Sequence, residues 1–119
     1  FIEFLSRGGL LVGTSAGASI LGPVMPPVLG KGIGLVNTII DQHFITNKRF
    51  HRGLQFVRQR PNLGLIGIDE DTMIVHKYNI NHKGRRYYRI FGDRLVVIIE
   101  NVKGTIKVKV LKDGDSFYI

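Results

Sequence analysis

The stretch Gly13-Thr14-Ser15-Ala16-Gly17 sets the expected fold of this 119-residue chain. It follows the apolar run Leu10-Leu11-Val12 and precedes the small-residue run Ala18-Ser19-Ile20. A serine between two glycines, where a strand turns into a helix, is typical of a nucleophile elbow, because small neighbours let the strand and the helix pack closely. The pattern predicts that Ser15 is a nucleophile, and a buried serine in a glycine-rich turn is the alternative.

Three mainly apolar segments, the first of which precedes Ser15, predict an α/β fold. Strands that are buried on both faces are typical of a mostly parallel sheet with helices on each side. A helix is expected between the second and third strands, from a cap at Thr46 or Asn47 to the residue before Pro61. Two further helices are expected, over residues 1–6 and 16–21. The predicted strands are residues 10–13, 35–40 and 63–68.

The chain changes character after residue 77. Its remaining apolar segments are short, and they are separated by the turn sequences Gly92-Asp93, Lys103-Gly104 and Asp113-Gly114. We therefore expect an antiparallel β meander over residues 78–119, added to an α/β catalytic part over residues 1–77 in a single domain. The predicted strands of the meander are residues 87–91, 95–99, 106–110 and 117–119.

The composition excludes several kinds of site. The chain has no cysteine, so disulfides, thiolate metal ligands and cysteine nucleophiles are excluded. Its net charge is +8, from 17 Lys and Arg against 9 acids, which favours a polyanionic partner. The uncharged segment 8–30 is long enough to cross a bilayer, but its prolines and glycines predict a buried strand and a loop instead. No signal peptide is visible, so a cytoplasmic location is expected.

Three polar side chains follow predicted strands. Ser15, His43 and Glu70 lie at carboxyl ends of strands, which is where an open α/β sheet carries its active site. A serine hydroxyl needs a base such as histidine, and the histidine needs a carboxylate that orients it. The pattern does not separate Glu70 from Asp69 and Asp71, although alternation along an extended segment places Asp69 and Asp71 on one face. Taken alone, His43 is also consistent with a structural, hydrogen-bonded histidine.

Other interpretations stay open. His51, His76 and His82 are competing bases, although none of them closes a strand end. A metal site built from the acids and His43 is conceivable, but no H-E-x-x-H or similar spacing supports one, so no metal is expected. Basic residues beside tyrosines also suit single-stranded nucleic acid, and here they are Lys83, Arg85, Arg86, Arg89, Tyr87 and Tyr88. A solvated strand face explains this set more simply, so nucleic acid is not the expected partner.

Three stretches together resemble the motifs of cyanophycinase and its relatives, which are serine peptidases with a class I glutamine-amidotransferase-like fold. They are Gly13-Thr14-Ser15-Ala16-Gly17-Ala18-Ser19, Asp41-Gln42-His43-Phe44 and Gly67-Ile68-Asp69-Glu70-Asp71-Thr72. The resemblance implies that the chain is the carboxyl-terminal part of a mostly parallel, three-layer α/β/α peptidase domain. It also implies that no cofactor is needed and that the full-length protein is a homodimer.

The resemblance also assigns roles to single residues. It implies that Ser15 is the nucleophile, His43 the base and Glu70 the orienting acid, with the Ala16 N–H in the oxyanion hole. The implied substrate is cyanophycin, a poly-aspartate with arginine on each side chain, which an exopeptidase cleaves to β-aspartyl-arginine. The residues implied in substrate binding are Asp41, Gln42, Arg49 and Arg52.

Two departures from the family pattern affect these expectations. Asn47 stands where the family has a helix arginine, which keeps an aspartyl or β-aspartyl dipeptidase as the alternative. The family's N-terminal βα units, with a second oxyanion donor, are absent from this sequence. We therefore expect the 119-residue chain to be inactive on its own unless another chain supplies that half of the site.

Overall fold

The computed structural model describes residues 1–26, 30–82 and 84–119, without the side chains of residues 78–82. Its α-helices are α1 (Ile2–Ser6), α2 (Ala16–Ser19) and α3 (Phe50–Gln59). Its strands are β1 (Val24–Met25), β2 (Gly30–Lys31), β3 (Thr38–Gln42), β4 (Gly64–Ile68), β5 (Thr72–His82), β6 (Arg85–Gly92), β7 (Val96–Val102), β8 (Thr105–Leu111) and β9 (Ser116–Tyr118). Within the described residues, every helix is too short or too polar to cross a membrane.

A four-stranded sheet with the order β3-β4-β7-β8 forms the centre of the described chain. Successive side chains of a strand point to opposite sides, so each strand contributes to two apolar cores. One face packs against α3 through Phe56 and Val57. The other face packs against a second sheet, β5-β6-β9, through Tyr88, Ile90 and Phe117. Strand β4 and residues 96–99 of β7 are continuously apolar, and both of their faces are buried.

Pairing within these sheets is mostly antiparallel, so the prediction of a mostly parallel sheet is not confirmed. Only β3 and β4 pair in parallel among the described strands, and α3 forms the crossover that a parallel pair needs. Strands β7 and β8 are joined by Lys103 and Gly104, whose φ angles of 52° and 84° suit a two-residue hairpin turn. The strands after residue 77 pair antiparallel as expected, but they do not form one meander: β7 and β8 extend the central sheet, whereas β9 pairs with β6 in a second sheet. This second sheet, β5-β6-β9, lies where a second helical layer was expected.

The segment that precedes Ser15 differs from its prediction. Residues 10–13 form no strand, and none of the described strands pairs with them. Leu10 and Val12 are 78% and 73% exposed, whereas a buried strand was expected. A strand needs a neighbour for its N–H and C=O groups, and its apolar side chains need a second layer to cover them. Neither requirement is met within the described residues.

Helix α3 ends where the proline was expected to end it, but it begins later than predicted. Its first residue is Phe50, and the capping roles of Thr46 and Asn47 are not observed. Lys48 has a φ of 53°, which is incompatible with a continuing right-handed helix. The Thr46 N–H instead donates to the Asp69 carboxylate at 2.9 Å. The loop of residues 43–48 is therefore attached to the end of β4.

Candidate active site

Ser15 lies in a sharp turn at the start of α2. Its φ of 50° and ψ of −125° are strained for a residue other than glycine, as is typical of a nucleophile elbow. Gly13 makes the turn possible, because a Cβ atom there would collide with the Gly17 carbonyl. Ser15 is exposed, so the alternative of a buried serine does not apply to it.

His43 follows β3 and is anchored by the next residue. Phe44 is 1% exposed, and Gly67 leaves room for its ring, since a Cβ atom at Gly67 would collide with it. The Phe44 N–H donates to the Ile68 carbonyl at 3.2 Å. His43 itself has a φ of 53°, and its Nε2 atom lies 3.3 Å from Ser15 Oγ. The chain therefore turns at His43, between the buried strand β3 and the buried ring of Phe44, and the imidazole lies at this turn.

Glu70 completes a row of three side chains. Its Oε1 atom lies 3.2 Å from His43 Nδ1, while the other ring nitrogen faces Ser15. The side chains of His43 and Glu70 are 37% and 40% exposed, so both are partly open to solvent. With the proton on Nδ1, the imidazole donates to Glu70 and accepts from the serine hydroxyl. This is the arrangement that lets a histidine act as a base toward a serine.

The structure separates the three acids that the sequence pattern left together. Asp71 has a φ of 52°, so a turn replaces the extended segment in which the acids would alternate. Asp71 is exposed, whereas Asp69 is 5% exposed and accepts the hydrogen bond from Thr46. Burial raises the pKa of Asp69, but hydrogen bonds from Thr46 and the charge of Arg94 outweigh it and hold the pKa below its usual 3.8. Of the three, only Glu70 contacts the imidazole in the part of the chain that the structure describes.

Another acid, Asp41, lies near the end of β3, where its carboxylate contacts two arginines and has no exposed surface. The Arg52 Nη2 atom lies 2.7 and 2.8 Å from its two carboxylate oxygens, and Arg49 Nη1 lies 3.1 Å from Oδ1. Arg49 Nη1 also lies 2.6 Å from the carbonyl and from the side-chain oxygen of Gln42. The side chains of Arg49 and Arg52 are 19% and 27% exposed. Two guanidinium groups face one carboxylate, so this cluster keeps a surplus of positive charge.

Comparison with known proteins agrees with these motifs. Cyanophycinase of Trichormus variabilis is 39% identical in an alignment that is 146 positions long, gaps included, and that covers 95% of this chain. Cyanophycinase of Nostoc sp. (strain PCC 7120) matches to the same extent, and that of Geminocystis herdmanii is 31% identical over 104 residues and 76% of the chain. This chain is cyanophycinase-like. It spans 47% of the length of the first two relatives and 36% of the third, and no family model matches it.

The comparison confirms the resemblance to cyanophycinases that the three motifs predicted. Asn47, the departure from the cyanophycinase pattern, is exposed in the loop after His43, and its N–H donates to the His43 carbonyl at 2.9 Å. In the turn at Ser15, the Gly17 N–H donates to the Thr14 carbonyl at 2.8 Å. The Ala16 N–H has no backbone acceptor within the described residues, which leaves it available to a ligand.

The basic segment of this cyanophycinase-like chain is partly engaged in internal contacts. Arg85 lies 3.1 Å from Glu100. Tyr88 is 2% exposed and stacks on Phe117 with ring centroids 5.2 Å apart, and burial raises its pKa to about 12. Lys83 lies outside the described residues. The Tyr88 ring is therefore not accessible to a nucleic-acid base.

The competing histidines make other contacts. His51 lies 3.3 Å from the Gln55 side chain, and His76 Nδ1 lies 2.8 Å from the Tyr87 carbonyl. Burial lowers the pKa of His76 below its usual 6.5. The side chain of His82 is outside the described set. Among the described residues, no three His, Asp or Glu side chains are grouped as metal ligands would be.

Proposed function

We propose that this chain carries the catalytic residues of a cyanophycinase-like serine peptidase, which is a hydrolase. The observation that carries the proposal is the row of Ser15, His43 and Glu70, with 3.3 and 3.2 Å between neighbouring atoms. The name cyanophycinase, which the three relatives share, supports cyanophycin as the substrate. The strained turn at Ser15 supports its role as the nucleophile of an elbow.

In the proposed reaction, His43 Nε2 takes the hydroxyl proton of Ser15 while Oγ attacks the scissile carbonyl. Glu70 holds the Nδ1–H and stabilises the imidazolium that forms. The Ala16 N–H donates to the oxyanion, and the imidazolium then protonates the leaving amine to give an acyl-enzyme. A water molecule deprotonated by His43 releases the product. Both distances in the row are at the long end of hydrogen bonding, as is common before substrate binds.

We assign substrate binding to the cluster of Asp41, Gln42, Arg49 and Arg52. Its surplus positive charge suits the carboxylates of an aspartyl-arginine substrate, which a guanidinium group can bind through two parallel hydrogen bonds. Asp41 acts indirectly, because its buried carboxylate contacts the two arginines and orients both of them. The proposal includes a cytoplasmic, homodimeric full-length protein.

A serine-reactive phosphonate tests the nucleophile, with the label located by mass spectrometry in the protein expressed from its complete gene. We expect the wild type to be labelled at Ser15 and the Ser15→Ala variant to remain unlabelled. Ser19→Ala is the matched control, because Ser19 lies in the same helix but is fully buried. Equal labelling of the wild type and Ser15→Ala would refute the proposal. Labelling of the 119-residue chain on its own would contradict the expectation that it is inactive alone.

A β-aspartyl or aspartyl dipeptidase is the second candidate, and it is favoured by Asn47. The side chain at this exposed position is uncharged, so one carboxylate contact expected for the polymer is lost. Product analysis with cyanophycin and with a β-aspartyl dipeptide separates the two candidates. Turnover of the dipeptide without release of β-aspartyl-arginine from the polymer would favour the dipeptidase.

A further inference from the structure

Asp69 has no role in the reaction proposed above, although it is the acid next to Glu70. Its side chain is 5% exposed, and its Oδ1 atom accepts the Thr46 N–H at 2.9 Å. Its Oδ2 atom lies 3.6 Å from Arg94 Nη1, which also donates to Thr46 Oγ1 at 3.3 Å. Asp69 and Arg94 thus hold Thr46 from two sides, through its backbone and through its side chain.

The loop that these contacts hold is the loop that carries His43. Two of its N–H groups reach the end of β4: Phe44 donates to the Ile68 carbonyl, and Thr46 donates to Asp69. The Asn47 N–H donates to the His43 carbonyl at 2.9 Å, which connects His43 to the fixed part of the loop. The position of the imidazole therefore depends on contacts with residues adjacent to Glu70.

Arg94 also contacts the segment that carries Glu70. Its backbone N–H donates to Thr72 Oγ1 at 3.0 Å, and the Thr72 hydroxyl donates to the Glu70 carbonyl at 3.0 Å. The side chain of Arg94 thus supports the loop of His43, while its main chain supports the turn of Glu70. Arg94 therefore supports the segments that carry His43 and Glu70, whose side chains lie 3.2 Å apart.

We propose that Asp69 and Arg94 form a positioning pair that holds His43 and Glu70 in register for proton transfer. The proposal rests on the proposed function, in which His43 is the base. Asp69 acts through the backbone of Thr46 and touches neither substrate nor the reacting atoms. Its carboxylate is ionised at neutral pH, because the hydrogen bonds from Thr46 outweigh the effect of burial and hold the pKa of Asp69 low.

Steady-state kinetics of the protein expressed from its complete gene test the pair. We expect Asp69→Ala to lower kcat by about 100-fold, since a displacement of about 1 Å in a reacting group has an effect of this size. KM should change less than 3-fold, because the contacts of Arg49 and Arg52 with Asp41 are untouched. Asp71→Asn is the matched control: it removes the charge of the exposed acid on the other side of Glu70 and should leave both constants unchanged.

Arg94→Ala provides a second route if Asp69→Ala fails to fold. The Arg94 side chain is 49% exposed, so its removal creates no buried cavity. We expect a fall in kcat of about 10-fold, because the backbone contact with Thr72 remains. Arg94→Lys should recover part of this loss, since a lysine keeps the charge that faces Asp69. An unchanged kcat in both Asp69→Ala and Arg94→Ala would overturn the proposal.

The ring of His43 gives a readout that does not depend on turnover. In the wild type, we expect an NMR signal from an Nδ1–H proton that is hydrogen-bonded to Glu70. This signal should shift or broaden in Asp69→Ala and Arg94→Ala and stay unchanged in Asp71→Asn. If the signal responds as expected while the wild type neither turns over substrate nor takes up the phosphonate, the proposed function fails and the positioning pair stands. If the signal is unaffected in both variants, the pair is refuted whatever the kinetics.

Discussion

Asp41 lies near the end of β3 and Glu70 follows the neighbouring parallel strand β4, but the two carboxylates have opposite surroundings. Asp41 has no exposed surface and is neutralised by two guanidinium groups, whereas the Glu70 side chain is 40% exposed and contacts one imidazole. A buried charge without partners is very costly, so the removal of one member of the Asp41 cluster should destabilise the fold. The half-exposed contact of Glu70 contributes little to stability. Of the two acids, the one proposed for catalysis is therefore the one that the fold holds less firmly.

The largest effect should follow from Glu70→Gln, which leaves the shape of the site intact. A glutamine amide can donate to His43 Nδ1 and thereby favour the wrong tautomer of the imidazole. We expect kcat to fall by about 10³- to 10⁴-fold, while the free energy of unfolding changes by less than about 1 kcal/mol. Kinetics and urea unfolding of the same variant measure both quantities. A loss of stability without a loss of kcat would contradict the expected contrast, in which Glu70 matters for catalysis and Asp41 for folding.

Asp41→Ala should have the opposite profile, with its main effect on folding. Removing the carboxylate leaves two partly buried arginines facing each other, and we expect a loss of about 3 kcal/mol in the free energy of unfolding. Glu3→Ala is the control, because the Glu3 and Arg7 side chains are 76% exposed and their contact should contribute less than about 1 kcal/mol. Urea unfolding of the two variants decides the point. Equal losses would show that burial does not distinguish the two ion pairs.

A smaller effect is expected from Arg52→Ala, which keeps Asp41 paired with Arg49. We expect KM for an aspartyl-arginine substrate to rise by about 10-fold, with kcat within about 3-fold, because one hydrogen-bonded charge contact contributes roughly 1.5–3 kcal/mol at most. Arg58→Ala is the control, since Arg58 is an exposed residue near the end of the same helix. Initial rates over a range of substrate concentrations provide the test. A fall in kcat at constant KM would assign Arg52 to the reaction rather than to binding.

The smallest expected effect is on the pH dependence of stability. It concerns His76 and Asp69, which do not belong to the two acids compared above. Burial lowers the pKa of His76, so its contribution to stability is complete above pH 6.5 and is lost as the pH falls through the folded-state value. The pKa of Asp69 is also lowered, so its contribution is lost in a separate window below pH 3.8. Urea unfolding measures the free energy of unfolding as a function of pH. His76→Gln should flatten this dependence only in the window below pH 6.5 that ends at the folded-state pKa of His76, and Asp69→Asn only in the window below pH 3.8. A single shared transition would contradict this assignment.

Ser15 Oγ lies 3.3 Å from His43 although the apolar run before Ser15 forms no strand. The proximity of His43 and Glu70 could be predicted, because the strands that precede them, β3 and β4, pair in parallel and end side by side. The choice of Glu70 over its neighbours could not, since alternation assumes an extended chain and the segment turns at Asp71. An acid directly after a continuous apolar run, as Asp69 is, was a usable sign of burial. The contacts of Arg94 could not be predicted from its neighbours in the sequence, because they join three loops that are distant along the chain.

The misjudged elements have a common physical origin. Residues 10–13 were predicted as a buried strand from apolarity, but a strand also requires a neighbour, which the described residues do not include. Helix α3 begins at Phe50 because Thr46 is bound to Asp69 and Lys48 adopts a left-handed conformation. Continuous apolarity indicates only that both faces of a strand are covered. It does not indicate whether the neighbouring strands are parallel. The second sheet covers a face as effectively as a helix does.

The left-handed φ angles at Ser15 and His43 have a consequence for engineering. A left-handed conformation costs about 1–2 kcal/mol at a residue other than glycine, and at these two positions it cannot be relieved without moving the reacting atoms. Lys103 also has a positive φ, of 52°, but it lies in the turn between β7 and β8 and outside the proposed triad. Lys103→Asn, which creates the Asn-Gly pair that hairpins prefer, would relieve strain there. Thermal stability can therefore be raised at this turn without any change to the residues proposed for catalysis.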